Sequence, residues 1–166
     1  MKIAVIGYSG AGKSTLAQRL GEKYGAPVLH LDTVQWLPGW RERSDAEQQR
    51  MVREFLDRND AWVIDGNYGG LSHARRMEEA DVIVELLLPR AVCLVRVLRR
   101  YLRWRGRTRP DMGEGCPEKV DAEFLRWVLR DGRTKRKRES FARIARQYPE
   151  KTTVLKSARA LKQAKL

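Results

Sequence analysis

Gly7-Tyr8-Ser9-Gly10-Ala11-Gly12-Lys13-Ser14-Thr15 fits the pattern G-x-x-x-x-G-K-[ST] without a mismatch. The apolar, β-branched run Lys2-Ile3-Ala4-Val5-Ile6 precedes it, and Leu16, Ala17 and Leu20 follow at helical spacing, so the stretch reads as strand, glycine loop, helix. The glycines let the backbone curl until consecutive N–H groups point at one anion, and the helix beginning near Lys13 adds its positive dipole end. In such a loop Lys13 reaches the β- and γ-phosphates of a nucleotide, Ser14 sets its hydroxyl on Mg²⁺, and Thr15 lies near the α-phosphate. Gly7, Ser9, Gly10, Ala11, Gly12, Lys13, Ser14 and Thr15 are therefore the expected nucleotide-binding set. A dinucleotide loop fits less well, because the glycines are not spaced G-x-G-x-x-G.

A chain of 166 residues makes one α/β domain, long enough for a five-stranded core with helices on both faces and too short for a second full domain. Cys93 and Cys116 supply neither a disulfide framework nor a four-ligand zinc site. With no signal-like segment and no apolar run of membrane-spanning length, a soluble, cytoplasmic protein without membrane contact is expected. The net charge of +13 is uneven: residues 1 to 88 carry 11 basic and 13 acidic side chains, residues 89 to 166 carry 23 and 8. A lid whose arginines face polyanionic substrates, a nucleic-acid-binding face and a solvated basic surface all account for that excess.

Gly25 is expected to end the first helix, and Pro27-Val28-Leu29-His30-Leu31 reads as a second buried strand with Asp32 at its C-terminal end. Ligands of open α/β sheets bind outside the carboxyl ends of the strands, so Asp32 is placed to orient or deprotonate an acceptor hydroxyl, or to cap the next turn. His30, alternating with apolar neighbours, reads as a satisfied core or strand-edge histidine. In Trp36-Leu37-Pro38-Gly39-Trp40-Arg41-Glu42-Arg43, the two tryptophans would stack on an acceptor ring while Arg41 or Arg43 holds an anionic group. Alternatively they pack an inserted helix against the sheet. Ser44 and Glu47 form a capping box that predicts a helix over 45–58, with Met51, Val52, Phe55 and Leu56 on its apolar face. Residues 33–60 thus form an acceptor-side insertion.

Ala61-Trp62-Val63-Ile64-Asp65-Gly66 is a third strand ending in a carboxylate. Asp65 would hold a water of the Mg²⁺ shell beside Ser14, or simply end the strand in an Asp-Gly turn. Asn67, Tyr68, Arg75 and Arg76 follow and are candidates to touch the acceptor. A fourth, nearly continuous apolar strand covers 81–88, as in a parallel sheet buried on both faces. From Pro89 to Trp104 the pattern turns helical and basic, with Arg96 and Arg100 on one face. The glycine- and proline-rich stretch 106–117 suggests a mobile lid, about 104–135, whose closure brings arginines onto phosphates and excludes water; an exposed loop is the alternative. Two helices broken near Asp131-Gly132 fill 118–147, and Lys135-Arg136-Lys137-Arg138 is the best candidate nucleic-acid contact, although nothing aromatic interleaves it. Thr152-Thr153-Val154-Leu155 is a final strand, and Ser157 caps a closing helix that runs to the terminus.

With these pieces in place the chain resembles the small P-loop kinases of the adenylate kinase and shikimate kinase group. More narrowly, it looks like the bacterial family labelled DNA topology modulation protein, FlaR-related. The narrow match rests on His-Leu-Asp at 30–32 with Trp-Leu-Pro-Gly-Trp at 36–40, Trp-Val-Ile-Asp-Gly-Asn-Tyr at 62–68 and Arg-Pro-Asp-Met-Gly-Glu-Gly-Cys-Pro-Glu at 109–118. The broader resemblance implies a three-layer α/β fold with a five-stranded parallel sheet in the order 2-3-1-4-5, a helical lid, and Mg²⁺-ATP as phosphoryl donor. It also implies that Arg96 packs on the adenine, that Arg100 contacts phosphates, and that Asp32 binds the acceptor. The adenylate kinase stretch Asp-Gly-Phe-Pro-Arg is Asp65-Gly66-Asn67-Tyr68-Gly69 here, and no four-cysteine zinc lid is present, which counts against AMP as acceptor. The expectation is transfer of the γ-phosphoryl group of ATP to a small acceptor, with Lys13, Asp32, Asp65 and Arg100 catalytic and Ser14 and Asp65 toward the metal. Asp32, Trp36, Trp40, Arg41 and Arg75 are the expected acceptor contacts, and an ATP-dependent DNA-binding protein that modulates DNA topology is the alternative. Oligomeric state is not legible in the residues.

Overall fold

The computed structural model describes residues 1–164 and 166. Five parallel strands form the central sheet: β1 (Lys2–Gly7), β2 (Val28–His30), β5 (Trp62–Asp65), β6 (Val82–Leu86) and β7 (Thr152–Leu155). They lie in the order β2-β5-β1-β6-β7. The central strands are almost continuously apolar and buried because helices cover both faces. The label string 2-3-1-4-5 is corrected, because the described residues form seven strands: the hairpin of β3 (Trp36–Leu37) and β4 (Arg41–Glu42) takes two numbers between β2 and β5. Two-residue strands carry no alternation for periodicity to detect.

α1 (Lys13–Tyr24) starts after Gly12 at φ 93° and ends at Gly25 at φ 59°, left-handed conformations that glycine adopts at little cost. β2 stops at His30, one residue earlier than expected, because Leu31 enters the short helix α2 (Leu31–Gln35) and is fully buried. α3 (Asp45–Arg58) has the expected bounds, with the Ser44 hydroxyl accepting from the Glu47 N–H. α4 (His73–Glu79) leads into β6, and α5 (Arg90–Trp104) follows it.

The 105–121 segment is seated on the β3–β4 hairpin. The Gly39 N–H donates to the Gly115 carbonyl at 3.0 Å, and a Cβ on Gly113 would lie 2.5 Å from the Trp36 carbonyl oxygen. Cys116, wholly buried, directs its thiol to the Leu37 carbonyl. The stretch read from its composition as a mobile connection is thus packed in this structure, its glycines allowing close backbone approach rather than only freedom. α6 (Ala122–Leu129), a 3₁₀ turn (Asp131–Arg133) and α7 (Lys135–Gln147) lead back to β7, and α8 (Ala158–Gln163) closes the fold behind the Ser157 cap. The closing helix ends short of the terminus, and Lys165 lies outside the described residues. Among the described residues no helix is long and apolar enough to cross a membrane.

β1 is paired with β5 on one side and β6 on the other, so the chain leaves the sheet in opposite directions at its carboxyl end. That is where an open α/β sheet leaves a crevice.

Candidate active site

The crevice is a cleft of about 2060 Å³ running from the glycine loop to the hairpin, roofed by α5 and α6. The loop is built for close approach. A Cβ on Gly7 would lie 2.3 Å from the Leu86 carbonyl oxygen, and one on Gly10 would lie 2.7 Å from that of Cys93. Asn67 clamps the start of the loop, its amide accepting from the Gly7 N–H at 2.9 Å and donating to the Gly7 carbonyl at 2.6 Å. Arg96 donates to the Ala11 carbonyl at 2.6 Å, holding α5 against the loop from above. Thr15 lies exposed at the cleft edge, and Ser9 accepts a hydrogen bond at 3.0 Å from the Trp127 indole of α6.

Three groups meet at the mouth of the loop. The Ser14 hydroxyl donates to Asp65 Oδ2 at 2.9 Å, and Asp65 Oδ1 is engaged by His30 Nδ1. Burial lowers the His30 pKa, but the hydrogen bond and charge of Asp65 outweigh it and the net displacement is upward. Lys13 donates to the Tyr8 carbonyl at 3.2 Å. Its pKa is lowered by burial, against the opposing pull of Asp32 and Asp65. An ammonium whose charge is incompletely matched by the protein is suited to phosphate oxygens.

At the hairpin end, Asp32 sits in the first turn of α2 and accepts from the Tyr68 hydroxyl, whose pKa burial and the Asp32 charge push upward. Trp36 and Trp40 line the cleft edge-to-face, ring centroids 5.6 Å apart. Arg100 donates to Glu118 at 2.8 Å, and burial lowers its pKa. Arg41 and Arg75 are not brought to this end. Arg41 is exposed beside the Pro38 carbonyl, and Arg75 is turned to Asp57 and Glu79 on the outer surface. Arg76, the neighbour, is fully buried and donates to the carbonyls of Leu71, Gly66 and Tyr68, a brace for the loop after β5; burial lowers its pKa to about 10.

Sequence reading missed Asn67 as the clamp on Gly7, Trp127 as a contact of Ser9, and the Glu118–Arg109 pair. The last had a local signal in the alternating charges of 109–118, but their partners lie across a fold that spacing does not reveal.

The AAA domain family matches residues 3–131, most of the chain. No curated protein matches it. Among solved structures, shikimate kinase from Acinetobacter baumannii in complex with shikimate is 20% identical with a TM-score of 0.55, covering 92% of this chain and 82% of that one. Shikimate kinase from Bacteroides thetaiotaomicron is 20% identical with a TM-score of 0.51, covering 94% and 85%. An uncharacterized protein from Eubacterium ventriosum is 15% identical with a TM-score of 0.51, covering 94% and 89%. At these identities the likeness is one of fold.

Proposed function

We propose that this chain, which belongs to the AAA domain family, is a phosphotransferase that moves the γ-phosphoryl group of ATP to a small hydroxylated acceptor held at the hairpin end of the cleft. The observation that carries this reading is the Ser14–Asp65 hydrogen bond, which sets a hydroxyl beside a carboxylate at the mouth of the glycine loop. Both are hard oxygen donors and fit Mg²⁺, which takes few protein ligands beside phosphates and water. The ion when bound supplies charge neutralisation on the transferred oxygens.

The chain's own residues do the rest. Lys13 exchanges the Tyr8 carbonyl for phosphate oxygens, and the loop amides hold the same charge as it spreads during transfer. Arg96 keeps α5 on the loop, and Arg100, on the same helix, lines the cleft while held to Glu118. Asp32, released from the Tyr68 hydroxyl, accepts the acceptor's hydroxyl and orients it or takes its proton. The packed 105–121 segment shields the transfer from water, which competes for the phosphoryl group.

The test is ADP release from Mg²⁺-ATP by wild type and Lys13→Ala, alone and with nucleosides, nucleotides, small hydroxylated metabolites and duplex DNA. Stimulation by a small acceptor with a phosphorylated product, lost in Lys13→Ala, supports the assignment; equal turnover by the variant refutes it. ATP-dependent DNA binding that modulates topology is a second reading, favoured by exposed Lys135, Arg136 and Arg138 on α7. Stimulation only by DNA, salt-sensitive and without phosphorylated product, would select it.

A further inference from the structure

The buried and half-buried arginines around the acceptor end are already spent on the protein's own oxygens. Arg43 donates to the Val34 carbonyl and to Glu47, and Arg76 to three carbonyls. Arg109 donates from Nε to Glu118 and from Nη1 to Asp111, while Arg100 takes the other Glu118 oxygen. The Glu118 side chain is only 3% exposed, so turning either arginine toward a substrate anion would leave a buried carboxylate short of a partner. Lys119 is exposed; it lies over the Trp40 ring, 3.7 Å from Asp121.

Two carboxylates face the same space. Asp32 and Asp111 both line the cleft, and the charges of both act on His30. Asp111 has Arg109 as partner; Asp32 has the neutral Tyr68 hydroxyl. An anionic acceptor would meet the Asp32 charge while the buried Arg109 and half-buried Arg100 stay committed to Glu118. Arg99, Arg103 and Lys119 also line the cleft but are exposed, where solvent screens them. An uncharged hydroxyl, by contrast, could replace the tyrosine's directly. The indole of Trp36 offers a flat apolar wall to a ring.

We propose that the acceptor is an uncharged, hydroxyl-bearing ring compound, a nucleoside or sugar, and that its phosphorylated or carboxylated counterparts are refused. The inference rests on the phosphotransferase reading above and narrows it. Like-charge juxtaposition in a partly desolvated site discriminates strongly, so the neutral member of a matched pair should exceed its anionic partner by at least about tenfold in kcat/KM.

The experiment uses the wild-type protein with Mg²⁺-ATP and matched pairs: each nucleoside with its 5′-monophosphate, and each hexose with its 6-phosphate and its uronate. Product is measured directly, and ATP binding is followed in parallel by titration calorimetry. Tenfold or greater preference for neutral members, narrowed in Asp111→Asn, supports the proposal, and the pair type used separates nucleoside from sugar. Equal use, or preference for the anionic member, overturns it while leaving phosphotransfer intact. No transfer to any member by a protein that binds Mg²⁺-ATP overturns it together with the phosphotransferase reading.

Discussion

Replacing Glu85 by glutamine should remove a pH dependence from folding. Glu85 lies in β6 opposite Ile6 and Val154, is 1% exposed, and its Oε1 has no hydrogen-bond partner among the described residues. Burial alone pushes its pKa from the ordinary 4.5 up to about 7. A carboxyl raised in the native state binds its proton more tightly there than in the unfolded chain. The resulting stability is fully present below pH 4.5 and is lost as pH rises through 7. Between pH 5 and pH 8 the loss from this one group is about 2.5 kcal/mol. For a domain of this size that corresponds to roughly 5–10 °C in Tm. Glutamine does not titrate, so the stability difference between Glu85→Gln and wild type should move by that amount in the variant's favour from pH 5 to pH 8. Urea unfolding at the two pH values measures it. The upward-shifted His30 and downward-shifted Glu79 titrate in both proteins and cancel in the difference. A difference that stays constant with pH would refute the argument, showing that the folded protein solvates or pairs the Glu85 carboxylate.

Three further outcomes follow from the cleft. Glu118→Ala leaves Arg100 and Arg109 without their shared carboxylate and should cost about 3–5 kcal/mol in chemical denaturation, more than Glu118→Gln. Gly10→Ala forces a side chain onto φ +76° and against the Cys93 carbonyl, so ATP affinity by calorimetry should fall at least about tenfold; retained affinity would mean that phosphate binds elsewhere. Asp32→Asn should lower phosphoryl transfer by roughly 10²–10⁴-fold while leaving the ATP dissociation constant within about twofold, and unchanged transfer would remove its proposed role.

Local patterns carried much of the fold. The glycine spacing with its flanking strand and helix, the Ser44–Glu47 capping box and the apolar runs at 62–65 and 82–86 are short-range signals, and the corresponding elements form at or near the expected residues. The approach of Ser14 to Asp65, 51 residues apart, was legible because a loop after β1 and a carboxylate ending a neighbouring parallel strand must meet at one edge of the sheet. Side-chain direction was not. Arg75 and Arg76 are adjacent in sequence, yet one is turned outward to Asp57 and Glu79 and the other is swallowed by backbone carbonyls. Composition near 106–117 reported glycine content without saying that Gly113 and Gly115 are there to let the segment settle on the hairpin. The Trp127–Ser9 contact spans 118 residues and has no local precursor.

In the proposed reaction the γ-phosphoryl group of ATP ends on an acceptor oxygen. The direct measurement is ³¹P NMR of Mg²⁺-ATP turnover by the wild-type protein with a neutral hydroxylated acceptor. A new phosphomonoester resonance should grow with ADP, in equal amounts, and be absent with Lys13→Ala. Growth of inorganic phosphate alone, with acceptor present and unmodified, would contradict it.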